Sequence, residues 1–443
     1  MIEKILIANR GEIALRIVRA CKDLGIKSVV AHSTVDRDTM AVEFADEHVC
    51  IGSGPTGESY LQADNIIMAA CLTRCDAIHP GIGFLSENAA FAKQVEEAGL
   101  AFIGPASDTI ALVGNKVAAR RIARKAGVPI TPGGEEALID LDDALRIAGS
   151  LGYPVIIKAS AGGGGRGMRI VRDEEGMANA YALAKKEALL FFADGELHLE
   201  RYIQNPRHVE VQLLADGHGA VVHLGERDCS VQKRHQKLFE ESPAPRLSEA
   251  MREAMASASV ALFRALGYRG AGTVEFLVDG SSFYFMEVNA RLQVEHPVSE
   301  LVSGVDLVRA QIEIAQGKGL GLSQADIHLT GYALECRINA QGAGTLTRVR
   351  MPSGPQVRVD TFLESGSVLS PHYDSLLAKV IVSAKSRDEG LAVMERALDE
   401  VIIDGVETNL GEQRQILASK LFRCGTVTTG LYGEVITQRK NHG

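Results

Sequence analysis

Glu275, Glu287 and Asn289 are set apart by where period-two alternation puts them. Residues 272–278 and 283–291 read as strands, with Asp279-Gly280-Ser281-Ser282 as the turn between them. In the second strand Glu287, Asn289 and Arg291 share one face, and Tyr284, Met286 and Val288 share the other. A hairpin brings Glu275 near Glu287, to within a residue or two of register. Facing carboxylates repel unless a cation lies between them. Hard oxygen donors suit Mg²⁺, which takes substrate phosphates as its remaining ligands. Arg291-Leu292-Gln293-Val294-Glu295-His296-Pro297 comes next. Arg291 can bind a small oxyanion bidentately, and Glu295 is a candidate general base. Glu335, Arg337 and Asn339 share one face of a strand over 333–339 and offer a second guanidinium. Together these groups form a receptacle in which a small anion is activated by phosphorylation.

A glycine loop supplies the phosphate side. Residues 160–168 hold Gly162, Gly163, Gly164 and Gly165, then Gly167 and Met168. Gly162, Gly164 and Gly167 satisfy G-x-G-x-x-G, but a dinucleotide fold needs a helix at once, and 168–171 reads as a strand. The loop therefore joins two strands as a flap whose N–H groups can close over phosphates. Lys158, on the strand ahead of it, suits a phosphate ligand. No G-x-x-x-x-G-K-[ST] occurs. Lys233, Arg234, His235 and Lys237 form a cation cluster, for which a solvated charge run is the alternative. His208, His235 and Cys229 fit no recognised zinc spacing.

These groups need a scaffold. Strands over 4–9, 28–32, 76–79 and 101–103 alternate with helical patterns such as 12–24, which implies a parallel α/β sheet. Asn9-Arg10-Gly11 and His79-Pro80-Gly81 fall at strand C-terminal ends, where such sheets bind ligands. Turn residues at 127–134 mark a boundary. A smaller α/β segment with a strand at 154–158 follows, then a longer α+β remainder. The 443 residues imply two to four domains. The charged and hydrophobic fractions are those of an ordinary globular enzyme, and no apolar run is long enough to span a membrane. A strand pattern beginning at Met1 leaves no signal peptide, so a cytoplasmic location is expected. The net charge of −9 gives no reason to expect nucleic-acid binding. The seven scattered cysteines read as reduced, mostly buried thiols.

Several phrases, in this order along nearly the whole chain, resemble the biotin carboxylase family of ATP-grasp enzymes. They are Ile7-Ala8-Asn9-Arg10-Gly11-Glu12-Ile13-Ala14, His79-Pro80-Gly81 with 83–88, the glycine loop, 225–237, 286–297 and Glu335-Cys336-Arg337-Ile338-Asn339. The resemblance implies an N-terminal Rossmann-like domain at 1–114, a linker and mobile lid at 115–203, an ATP-grasp core at 204–330 and a C-terminal α+β region at 331–443. It implies that Lys116, Lys158, Gly162 to Gly165, Met168, Glu200, Ile203, His208, Gln232 and His235 bind ATP. Glu275, Glu287 and Asn289 would hold two Mg²⁺ or Mn²⁺ ions. Arg291, Gln293, Val294, Glu295 and Lys237 would bind bicarbonate, with Glu295 as base, and Arg337 would stabilise the enolate-like oxygen of biotin. Biotin is then a substrate on a separate carrier protein, since no Met-Lys-Met carrier hairpin is found in the chain. Carboxyltransferase partners, a homodimer and acetyl-CoA as final acceptor are the family expectation. Two departures, Ile82 where relatives have Tyr and the short stretch 340–347, lie on the biotin side and point to a different acceptor or carrier, or to a tolerated loop. An ATP-grasp ligase acting on another acceptor and a silent nucleotide-binding relative are the competing readings.

Overall fold

The computed structural model describes residues 2–134, 136–160, 167–192 and 194–437, so Gly162, Gly163, Gly164 and Gly165 lie outside the described residues. The N-terminal part is a five-stranded parallel sheet in the order Glu47–Gly52, Lys27–Ser33, Lys4–Ile7, Ala77–His79, Ala101–Phe102. Helices such as Gly11–Leu24 and Ala89–Glu97 connect the strands. Ile5, Leu6 and Ile7 are fully buried, as parallel strands covered on both faces require. The order reverses between Lys4–Ile7 and Ala77–His79, which opens a crevice at their C-terminal ends. Asn9 closes its floor, its Nδ2 donating to the carbonyls of Pro80 (2.7 Å) and Ile82 (2.8 Å). Gly81 adopts φ +65°, and a Cβ there would sit 2.8 Å from Asn9 Nδ2, so this turn has room only for glycine.

Residues 136–201 include a three-stranded antiparallel sheet, Met168–Val171 beside Val155–Ala159 beside Leu197–Arg201. Pairing from Val155↔Val171 to Lys158↔Met168 shows that the glycine segment connects two strands, not a strand and a helix. This unit has its own apolar core, with Leu138, Ala144, Val155, Ile157 and Leu199 buried against one another.

The largest sheet has eight antiparallel strands. Its order is Ser282–Asn289, Arg269–Asp279, Arg207–Asp216, Val221–Lys233, Gln236–Ser242, Tyr332–Asn339, Leu376–Ala384, Val357–Thr361. Gln236–Ser242 pairs directly with Tyr332–Asn339, so the expected units 204–330 and 331–443 share one sheet. One face packs on the N-terminal part, where Phe91 and Phe102 join Val211, Val274 and Phe276 in a single cluster.

The hairpin 269–289 places Glu275 directly opposite Glu287 and Thr273 opposite Asn289. Alternation in its second strand is not strict. The register shifts between Glu275↔Glu287 and Phe276↔Phe285, leaving Met286 as an extra, bulged residue. Phe283, Phe285 and Val288 therefore face the core opposite Val278, Phe276 and Val274, while Met286 turns to the cleft. This corrects the expected face of Tyr284, Met286 and Val288. An unbroken alternation would have put Phe285, the larger apolar side chain, on the carboxylate side.

Among the described residues no helix is long and apolar enough to cross a membrane. Cys21, Cys75, Cys229 and Cys336 are buried; Cys50, Cys71 and Cys424 are exposed.

Gly272 lies where the hairpin is tightest. A Cβ there would meet Tyr268 Oη at 2.3 Å and Asn289 O at 2.9 Å. Gly272→Ala is expected to cost about 1–3 kcal/mol through this overpacking, read as a lower denaturation midpoint. An unchanged midpoint would contradict the packing described.

Candidate active site

Every expected site residue that is described lines one cleft between the N-terminal part, the 136–201 unit and the large sheet. The groups form a sequence of ion pairs from one end of the cleft to the other.

At the end nearest the small unit, Glu200 is buried on the strand Leu197–Arg201. Lys158 Nζ (2.7 Å), Arg120 Nη1 (2.6 Å) and His198 Nε2 (3.1 Å) surround its carboxylate. Burial pushes this carboxyl up, but Lys158, His198 and Arg120 reverse that and hold it well below the ordinary range. Lys158 projects from the adjacent strand, directly beside Met168 in register. Lys116 Nζ reaches in from the helix Lys116–Lys125 and stands 4.0 Å from Glu287 Oε2. Burial lowers its pKa, with Glu287 opposing. Ile203 is a buried apolar wall beside these groups.

The large sheet carries the centre of the cleft. His208 Nε2 lies 2.9 Å from Glu275 Oε2, and Gln232 Nε2 lies 2.7 Å from His208 Nδ1. Lys237 Nζ donates to Glu210 Oε2 (2.9 Å), Glu275 Oε1 (2.9 Å) and Glu295 Oε1 (2.6 Å). Burial disfavours this ammonium, yet Cys229, Glu210, Glu275 and Glu295 together hold its pKa well above the ordinary value. The neighbouring cations do not act with it. Arg234 and His235 are exposed, both at positive φ (52° and 66°), as the two central residues of the turn from Lys233 to Gln236. Lys233 turns away to Glu412 (2.8 Å) and lies over the Tyr432 ring. The expected cation cluster is therefore three separate environments.

Glu275, Glu287 and Asn289 offer hard oxygen donors on one face of the hairpin. Burial, and then the charge of Glu275, push Glu287's carboxyl above its ordinary value, with Lys116 opposing. A divalent cation between the two carboxylates would relieve that repulsion, so the residues fit Mg²⁺. His208–Glu210–Glu275 and Glu210–Cys229–Glu295 also bring donor atoms within 4.8 Å. Lys237 Nζ already bonds the carboxylates of both groups.

At the far end Arg291 is held in place by its neighbours. Its Nε donates to Glu87 Oε2 (2.7 Å), Nη1 to Gln293 Oε1 (2.9 Å), and Nη2 to Asn289 Oδ1 (3.3 Å). Gln293 in turn donates to Thr273 Oγ1 (3.0 Å). Lys379, fully buried, donates to the carbonyl of Val294 (3.0 Å) and pairs with Glu12 (3.1 Å), fixing the backbone ahead of Glu295. Glu295 bridges Lys237 and Arg337, its Oε2 accepting from Arg337 Nη2 at 2.8 Å. Burial raises its carboxyl, but Lys237, Arg337 and Arg227 prevail over burial and Glu210, so it is ionised and held below the ordinary range.

The sequence reading missed Glu210, Arg227, Glu240, Lys379 and Glu87. Charged residues inside otherwise apolar strands were the available signal. Glu226-Arg227-Asp228 interrupts a buried strand, and Lys379 stands alone in Leu376–Ala384. Arg227 is 0% exposed and reaches Glu210, Gln212 and Ser299.

This geometry joins a lysine-lined, carboxylate-bearing end to an end where two guanidiniums flank an ionised glutamate. Comparison with known proteins identifies the set. The family model for the biotin carboxylase N-terminal domain matches residues 1–110. That for the carbamoyl-phosphate synthase L chain ATP-binding domain matches 115–323, and that for the biotin carboxylase C-terminal domain matches 335–433. A biotin carboxylase from Pseudomonas aeruginosa is 51% identical over 435 residues, covering 96% of this chain and 97% of that one. The biotin carboxylase domain dimer of Hydrogenobacter thermophilus 2-oxoglutarate carboxylase, in complex with MgADP, ADP and bicarbonate, superposes with a TM-score of 0.95 at 45% identity, covering 98% of this chain and 97% of that one. A biotin carboxylase complex with β-γ-ATP from Campylobacter jejuni gives a TM-score of 0.96 at 43% identity, covering 98% and 99%. By sequence and by structure, the chain belongs to the biotin carboxylase family of ATP-dependent ligases.

Proposed function

We propose that the protein phosphorylates bicarbonate with ATP and carboxylates biotin carried on a separate protein, as the first half-reaction of an acyl-CoA carboxylase with acetyl-CoA as final acceptor. The observation that carries this reading is Glu295, ionised between Lys237 and Arg337 and four residues beyond the Arg291 guanidinium. The MgADP and bicarbonate of the Hydrogenobacter neighbour support it.

Bicarbonate is a poor electrophile, and phosphorylation gives it a leaving group. In this reading Lys116, Lys158 and Lys237 offset charge on the transferring phosphoryl group. Glu200, His208, Gln232, His235, Ile203 and Met168 seat the nucleotide. Glu275, Glu287 and Asn289 would hold Mg²⁺ or Mn²⁺, which when bound neutralises phosphate oxygens. Arg291, kept in one orientation by Glu87 and Gln293, offers its remaining Nη2 N–H and its charge to a bicarbonate oxygen. Glu295 takes the bicarbonate proton. Lys237 and Arg337 make it a weak base while they bond it, and it strengthens when these cations turn toward the substrate. Carboxyphosphate breaks down to CO₂ and phosphate, the phosphate deprotonates the biotin ureido nitrogen, and Arg337 stabilises the oxygen charge that develops. Enclosing the cleft keeps CO₂ from escaping.

The reading includes a cytoplasmic homodimer working with a biotin carboxyl carrier protein and carboxyltransferase subunits; the dimeric Hydrogenobacter domain supports the dimer. The same neighbour belongs to a 2-oxoglutarate carboxylase, and this favours a second reading in which a 2-oxo acid is the final acceptor. Ile82 lines the cleft, and Gly344–Thr345 pairs with Val368–Leu369.

With Mg²⁺ and bicarbonate, free biotin is expected to stimulate ATP hydrolysis. Glu295→Gln should lower the rate on the order of 10²–10⁴-fold, the range for loss of a general base, with circular dichroism unchanged. Hydrolysis indifferent to biotin would sink the biotin reading. The left-handed turn supplies a second expectation. Asn and Gly adopt φ > 0 more readily than Arg and His, so Arg234→Asn with His235→Gly should raise Tm while raising KM for ATP. An unchanged KM would remove His235 from the nucleotide set.

A further inference from the structure

Behind Arg337 lies a pair of carboxylates that the proposed chemistry does not use. Glu240 and Glu335 are direct cross-strand partners, so their side chains share a face of the sheet, and both are 0% exposed. Among the described residues, neither oxygen of either side chain makes a well-aligned hydrogen bond. Glu240 Oε1 lies 2.6 Å from Arg337 Nη2, the nitrogen that also donates to Glu295 Oε2. The backbone of Arg337 is pinned separately, its carbonyl accepting from Gln413 Nε2 (2.7 Å) and Asn409 Nδ2 (3.1 Å). Lys379, the cross-strand partner of Arg337, is engaged by Glu12, Asp360 and the Val294 carbonyl. Among the described residues Glu335 therefore makes no ion pair, and Lys379 acts on it only through space.

Two adjacent buried carboxylates served by one guanidinium, itself shared with a third carboxylate, cannot all be ionised at neutral pH without a large desolvation cost. We propose that Glu240 and Glu335 share one proton, with the charge on Glu240 and the proton on Glu335, and that this pair is the positioning element for Arg337. A singly charged pair holds the guanidinium at the mouth of the cleft. A doubly charged pair would draw it back into the sheet and away from substrate. A neutral pair would leave it to Glu295 alone. When Glu295 takes a proton from substrate it loses its hold on Nη2, and Glu240 then sets where the guanidinium stays. The inference rests on the reading of Arg337 as the group that meets biotin.

Burial drives both carboxyls above the ordinary range, Glu240 with Arg337 opposing and Glu295 reinforcing, Glu335 with Lys379 opposing. The charged and titratable groups facing the pair are Lys237 from its own strand, Arg337 from the next, Lys379 beyond it, Cys229 on the other side and Glu295 from the loop above, while Cys336 turns to the apolar face.

The infrared spectrum of the substrate-free protein at neutral pH tests the shared proton without any assumption about the reaction. A protonated-carboxyl C=O band lost in Glu335→Gln is expected, and no difference between the two spectra would overturn the proposal. Kinetics test the positioning. Glu240→Gln removes the charge facing Arg337 and should raise KM for free biotin on the order of tenfold, the scale of one lost charged contact. At saturating biotin kcat should change less than KM. Glu335→Gln mimics the protonated form and should raise KM for biotin less. Equal KM values in native protein and Glu240→Gln would overturn the positioning role. If Glu240→Gln does not fold, the infrared band of native protein followed against pH decides. Persistence beyond the range where exposed carboxyls ionise supports the pair, and its absence contradicts it. If bicarbonate and biotin fail to stimulate hydrolysis but the band is present, the function reading fails and the shared proton stands.

Discussion

The Lys237 ammonium, largely enclosed by Glu210, Glu275 and Glu295, is the interaction on which the rest of the site depends. A charge out of water is tolerated only when it is paired and hydrogen-bonded. One ammonium with three donors meets that condition only if three carboxylates from different parts of the chain converge within bonding distance. Glu210 comes from Arg207–Asp216, Glu275 from its sheet neighbour, and Glu295 from the loop before His296–Ser303. The pairing of these strands is therefore a condition for the charge, and the charge penalises any slip in register. Glu210 is doubly committed, since Arg227 holds its other oxygen from within the sheet.

Bulges do the local aiming. One re-aims Met286 to the cleft and keeps Phe285 in the core while Glu287 stays opposite Glu275. Another lies between Val231↔Phe239 and Gln232↔Lys237, where the sheet approaches the Arg234–His235 turn. Both sit where one strand must serve an apolar core over most of its length and a polar cleft at one end. Strict alternation cannot do both, and one extra residue changes the face at the point required. The left-handed backbone of Arg234 and His235 costs energy that the clamp of Lys233 on Glu412 and Tyr432 helps to offset.

Much of this is legible in the residues. The parallel sheet follows from apolar runs alternating with helical patterns, and the strand pattern after the glycine loop by itself excludes a dinucleotide fold. The closeness of Glu275 to Glu287 follows from a short hairpin turn, to within a residue or two of register. The bulge at Met286 does not, because an extra residue leaves the apolar pattern nearly unchanged while reversing which face each residue takes. The enclosure of Lys237 is also hidden: a lysine within Lys233-Arg234-His235-Gln236-Lys237 looks solvated until the anions that surround it, 27 residues before and 58 after, are placed in space. Glu240 and Glu335 are hidden for a related reason, since a carboxylate in a strand gives no sign of whether water, a cation or a proton satisfies it.

The central claim is that the cleft brings the terminal phosphoryl group of ATP onto bicarbonate, so that the receptacle of Arg291, Glu295 and Arg337 holds a co-substrate and not a water molecule. Turnover with ¹⁸O-labelled bicarbonate in unlabelled water tests it most directly, with the phosphate product analysed by mass. Label carried from bicarbonate into inorganic phosphate is the predicted result, because carboxyphosphate leaves one bicarbonate oxygen on phosphorus. Phosphate carrying oxygen only from water would mean direct hydrolysis of ATP and would contradict the account.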